Sequence, residues 1–221
     1  MARRISPRPR RGWGPASAAR VAAIFDRLAG HIIPKGELEW GTPYQLLVAV
    51  VLSAQCTDKA VNAATRGLFA RAPDARGMVA LGEAAIAARI RTIGLWRAKS
   101  RHVLALSHLL LERHGGEVPA DRAALEALPG VGRKTASVVL NIAFGVPTIA
   151  VDTHVQRTAT RLGLVTTADP DRTQEVLEAR IPARHLRHAH HYLILHGRYT
   201  CTARSPRCAA CVIARGCPSR D

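Results

Sequence analysis

Aromatic residues are scarce, at 4% of 221 positions, and alternating β-branched runs are scarce too. Strands draw on both residue types, so their shortage weighs against a sheet-built core. Long apolar runs are missing as well. The longest, Leu46 to Leu52, is far below the roughly 18 residues that a membrane helix requires. Acidic residues are absent from the first 25 positions, which instead carry Arg3, Arg4, Arg8, Arg10, Arg11 and Arg20. No apolar h-region follows, and Pro7 and Pro9 interrupt any amphipathic helix. A disordered basic arm over residues 1–16, adding weak DNA affinity, is therefore preferred to an organellar transit peptide.

What is present points to helices. About half of the residues are apolar, enough for a sizeable core, and Ala, Leu and Arg are frequent. Lys and Arg number 32 against 16 Asp and Glu, a formal net charge of +16. That excess calls for a polyanionic partner: nucleic acid first, an anionic membrane second. A general arginine bias that only solvates the surface is the plain alternative.

Apolar spacing predicts helices over 17–29, 44–52, 58–70, 75–81, 83–91 and 97–113. Gly115, Gly116 and Pro119 mark a loop, and Asp121 can cap a short helix carrying Leu125 and Leu128. Leu128-Pro-Gly-Val-Gly is a tight turn leading into a helix over 132–144. Residues 148–151 read as extended, followed by helices near 154–162, 171–180 and 183–197.

The segment 121–144 thus reads as helix, Gly-rich hairpin, helix. Gly130 and Gly132 permit close backbone approach, and with Val131 they open the second helix, whose N–H groups and dipole suit a phosphate. Lys134 stands in the first turn. The helix dipole and desolvation would favour its neutral amine, a nucleophile. A lysine holding the DNA backbone fits the local position equally well. Farther on, Asp152 either caps the next helix or is freed for chemistry if Thr153, paired with Gln156 in a capping box, does the capping. His154 is a DNA contact or a packed helix residue, and packing is preferred.

Of five cysteines, Cys201, Cys208, Cys211 and Cys217 lie within the last 21 residues. With no signal peptide, a disulfide framework is disfavoured and a metal site favoured. Zinc ribbons show two close cysteine pairs, whereas the 6-2-5 spacing here has one, which favours [4Fe–4S]. Arg204 and Arg207 lie in the first loop, where they could grip phosphates. His185, His188, His190 and His191 read as surface and packing residues.

Together these motifs resemble the endonuclease III family of helix–hairpin–helix DNA glycosylases, from about Ile24 to Cys217. The resemblance rests on Leu128-Pro-Gly-Val-Gly-Arg-Lys-Thr-Ala, Ile149-Ala-Val-Asp-Thr-His, and His196-Gly-Arg-Tyr-Thr-Cys with the four-cysteine tail. It implies an all-α, two-domain fold. A six-helix barrel would take residues 36–146, with the hairpin at 121–144, and a [4Fe–4S] cluster domain would take 17–35 with 147–221. It places the catalytic lysine on Lys134 and the catalytic aspartate on Asp152. Leu52-Ser-Ala-Gln-Cys-Thr-Asp matches the segment whose glutamine, here Gln55, enters the DNA helix. Ile93-Gly-Leu resembles the opposite wedge and marks Leu95. Cys56 stands where a small residue such as Ala is expected.

The implied activity is a base-excision glycosylase and abasic-site lyase for oxidised pyrimidines. The implied partner is double-stranded DNA with damaged bases or abasic sites, bound by a monomer at a bacterial nucleoid. An adenine-excising relative shares the cysteine pattern, but Lys134 and the end at Asp221 argue against it. A non-catalytic damage sensor is disfavoured by the joint presence of Lys134 and Asp152.

Overall fold

The computed structural model describes residues 15–220. The expected basic arm lies outside these residues except for Pro15 and Ala16. Ala16 is not disordered: it is buried, and its amide donates to Gly163 O at 3.0 Å.

Among the described residues the chain is all-helical, without a strand. Two compact units divide it at Gly36/Glu37 and again at Val146/Pro147. The central unit, Glu37–Val146, holds six helices: α2 (Pro43–Leu52), α3 (Asp58–Phe69), α4 (Ala75–Arg89), α5 (Trp96–His114), α6 (Arg122–Glu126) and α7 (Arg133–Phe144). The terminal unit joins α1 (Ala18–Ala29) to α8 (Thr153–Arg161), α9 (Pro170–Arg180), α10 (Ala183–Tyr199) and a one-turn 3-10 helix, Cys208–Ala210.

Seven of the ten α-helix starts among the described residues have a side-chain cap. Ser17, Thr42, Thr57, Asp74, Asp121, Asp152 and Asp169 accept amides of the first turns of their helices. The two segments expected at 75–81 and 83–91 form α4, broken at Gly82, whose φ of 76° and ψ of 162° are non-helical.

In the central unit α2 is apolar on all sides and buried from Leu46 to Leu52, so the other helices pack round it. Val103, Leu106 and Leu110 of α5 and Val139 and Leu140 of α7 join the same core. The core of the terminal unit sets Phe25 and Leu28 of α1 with Val155 and Ala159 of α8 and with Leu193 of α10. Helices α8 and α10 meet at Gly197. A Cβ there would stand 2.8 Å from Thr158 Oγ1 and 3.1 Å from His154 Cβ.

Two buried histidines give the terminal unit an acid-sensitive point. Burial, reinforced by the charges of His190 and His188, holds His191 down to about 4, and burial holds His196 to about 4. Neutral rings are favoured in the fold, while the unfolded chain takes up protons below the ordinary histidine value. The stability they contribute is thus complete above about pH 6.5 and is lost as pH falls toward 4. Denaturant melts across this window should lose on the order of 1 kcal/mol per pH unit for each histidine, and His191→Gln should flatten the slope.

Candidate nucleic-acid interface and metal centre

The hairpin is built by one turn. Val131 N donates to Leu128 O at 3.0 Å, Pro129 and Gly130 lie between, and Gly130 has φ 79°. A side chain at 130 would be strained and would also meet the His102 ring at about 3.0 Å, so glycine is doubly required. Gly132 differs from the expectation. Its φ of −99° suits any residue, and a Cβ there would meet nothing within 4 Å. The protein itself does not need a glycine at 132; the missing Cβ leaves open the exposed ground before α7.

Helix α7 begins at Arg133 with no side-chain cap on Gly132. Its first N–H groups lack partners within the helix, and the dipole adds positive potential there. Lys134, the second residue, is exposed. The expected desolvation is thus absent in the free chain, because the ammonium projects off the helix start rather than into the core. Ser137 and Asn141, on the same stripe, are buried. Ser137 Oγ donates to Arg133 O and accepts from Arg122.

Among the described residues only Gln55 and Leu95 are non-glycine residues in left-handed backbone, with φ 56° and 60°. Gln55 sits in the turn closed by Cys56 N and Ser53 O, between α2 and α3, and is exposed. Leu95 opens α5 and is 58% exposed, although Ile93 and Trp96 beside it pack into the core. The two loops touch: a Cβ on Gly94 would lie 3.9 Å from Cys56 Sγ. Arg97 and Arg91 lie over the Trp96 ring at 4.2 and 5.8 Å, placing cations next to the exposed Leu95.

In the terminal unit Asp152, not Thr153, caps α8. Its Oδ1 accepts from Val155 N at 2.8 Å. The capping box fails because Gln156 turns away and donates to Thr167 O at 2.9 Å. Asp152 therefore acts as a cap while keeping a second carboxylate oxygen. The preceding 148–151 segment forms no ladder. Glu178 holds it, accepting from Thr148 Oγ1 at 2.5 Å and Ile149 N at 2.9 Å. His154 packs against Gly197, with a ring nitrogen 3.2 Å from Arg157.

The four tail cysteines are half-buried and close enough to influence one another. Burial pushes the Cys211 and Cys217 thiols up, and the surrounding cysteines push them further. Thiolates crowded in this way require bound cations, which fits iron. Among the described residues no three His, Cys, Asp or Glu side chains close round one bare ion. A cubane, binding each thiolate to a different iron, spaces its ligands more widely. Arg161, buried, clamps the first loop: its Nη1 reaches Thr202 O at 2.7 Å and Cys201 Sγ at 3.6 Å, and Nη2 reaches Ala203 O at 2.8 Å. Arg157 donates to Gly197 O at 2.8 Å and Cys201 O at 3.3 Å. Arg204 and Arg207 are exposed on that loop.

Residues 48–183 match the HhH-GPD superfamily of base excision DNA repair proteins, and residues 201–217 match the iron-sulfur binding domain of endonuclease III. The endonuclease III of Treponema pallidum (strain Nichols) is 52% identical over 198 residues, covering 89% of this chain and 94% of that protein. The chain belongs to the endonuclease III family. That of Escherichia coli (strain K12) is 50% identical over 188 residues, covering 85% and 89%. A solved endonuclease III trapped as a covalent intermediate with DNA superposes with a TM-score of 0.86 at 41% identity, covering 91% of this chain and 96% of that one. A thermostable thymine-DNA glycosylase, at 22% identity and a TM-score of 0.78, shares the fold. Family membership makes the chain a base-excision DNA glycosylase and abasic-site lyase of the endonuclease III type with a [4Fe–4S] cluster, and the C-terminal cysteines are consistent with it.

Sequence reasoning missed Lys99, Arg157, Arg161 and Glu178. Lys99 had a signal: it shares the face of Val103, Leu106 and Leu110, where a charge is out of place. Cys211→Ala should lower the iron content per chain and the melting temperature together, because the tail has little apolar packing of its own. Full iron loading in that variant would remove Cys211 from the ligand set.

Proposed function

We propose that this family member releases oxidised pyrimidines, thymine glycol among them, from double-stranded DNA and cuts the strand through a lysine Schiff base. The observation carrying this reading is the exposed Lys134 on the first turn of α7, directly after an uncapped hairpin. Amides of the hairpin at Gly130 and Gly132, on either side of the buried Val131 whose own amide closes the turn, would hold a backbone phosphate, fixing DNA without reading its sequence. Gln55 and Leu95 would fill the gap left by a flipped base. Arg204 and Arg207 would add phosphate contacts from the cluster loop, and His154 is assigned to packing in α8. The cluster holds that loop in shape when bound.

The amine of Lys134 attacks C1′ as the glycosidic bond breaks and the base departs. DNA closing over the amine supplies the desolvation that the free chain does not. The sugar ring opens to a Schiff base between Lys134 and C1′. This acidifies the C2′ hydrogen, and β-elimination breaks the C3′–O bond, cutting the strand 3′ to the lesion. The second oxygen of Asp152 stabilises cationic character on the sugar. The enzyme works as a monomer at the nucleoid of a bacterial cytoplasm; no helix among the described residues is long and apolar enough to cross a membrane.

Incubation with duplex containing thymine glycol should release the base and cut the strand, and borohydride should trap a covalent adduct. Lys134→Ala should abolish the adduct, and its persistence would assign the nucleophile elsewhere. Asn caps helices about as well as Asp, so Asp152→Asn isolates the charge. It should melt normally while base release slows by about a hundredfold or more.

A further inference from the structure

Lys99 is only 4% exposed, the one buried lysine or arginine of the central unit. Its Nζ donates to Ala54 O at 2.7 Å and to Cys56 Sγ at 3.2 Å, the residues on either side of Gln55. Its own amide donates to Leu95 O at 3.0 Å, the first hydrogen bond of α5. One residue therefore bonds both exposed loops, and its bonds flank the two non-glycine residues held in left-handed backbone.

A core spacer would not need the charge. Below Lys99 the α5 face is apolar, and a methionine would fill the same channel without the cost of burying an ammonium. What the ammonium adds is a directed hold on the Ala54 carbonyl, which orients the following peptide and with it the φ of Gln55. The Cys56 sulfur, bonded by the same ammonium and facing Gly94, brings the Leu95 loop into the same arrangement.

We infer that Lys99 is a positioning residue: it locks Gln55 and Leu95 as a preset pair, so that base extrusion does not wait for either loop to order. This inference rests on the reading that Gln55 and Leu95 enter the duplex. Pre-organisation of this kind acts on the extrusion step and leaves the lysine chemistry at an already open abasic sugar alone.

The test is Lys99→Met, alone and with Gln55→Ala, on two substrates. One is duplex containing thymine glycol, followed in single turnover. The other is a single-stranded oligonucleotide with a preformed abasic site, trapped with borohydride, where no stack must be filled. Lys99→Met should slow duplex base release by about tenfold to a hundredfold. Trapping on the single strand should stay within about twofold, and melting should be unchanged or raised. The double variant should be no slower on duplex than the slower single variant, since both act through one side chain. Equal losses on both substrates, fully additive losses, or normal duplex release by Lys99→Met beside a slow Gln55→Ala would each overturn the positioning role. Normal release by Gln55→Ala itself would overturn the underlying reading and the inference with it. Should Lys99→Met fail to fold, Lys99→Leu, which likewise has no donor toward Ala54, carries the comparison. A loss confined to duplex supports the role, and an equal loss on both substrates ends it.

Discussion

Left-handed backbone is the constraint on which the central unit turns. Gln55, Leu95 and Gly130 stand at three separate helix junctions, each with φ between 56° and 79°. For a residue with a side chain this conformation costs about 1–2 kcal/mol, so it persists only where the surroundings over-determine it. The all-apolar α2, the buried Ile93 and the packed Trp96 supply rigid anchors on both sides of the two non-glycine cases. Gly130 escapes the strain and also makes room for His102. The exposed ground at these junctions is thereby set by backbone geometry, which suits a protein that must inspect any sequence.

In the terminal unit the constraint is electrostatic. The chain crowds four thiols into a tail with little core of its own and surrounds their loop with Arg157 and Arg161. These guanidiniums, donating to carbonyls of the loop, hold it against α8 and α10, and the iron of the cluster balances the sulfur charge. Gly197 lets α8 and α10 close to the distance at which both arginines reach the loop. The same α8 carries Asp152 at its start, so the acid and the cluster loop hang from opposite ends of one short helix.

Legibility followed the range of the interaction. Helices with a periodic apolar face were readable to within a residue or two, as were the breaks at Gly82 and Gly145, because period and glycine act locally. The Pro-Gly hairpin and the cysteine spacing were readable for the same reason. The choice between Asp152 and Thr153 as cap was not. Both residue types cap, and the outcome hinged on where Gln156 found its partner, Thr167.

The sequence alone determined the helical inventory, the hairpin turn, the cysteine spacing and the family, since each is written in residues close together in the chain. Tertiary structure decided that Asp152 caps α8, that Lys134 is exposed, and that Gly132 answers to no clash within the protein. It also decided that Lys99 reaches Ala54 across 45 positions of chain. A buried ammonium takes its meaning from the carbonyl it meets, and only folding brings that carbonyl within 3 Å.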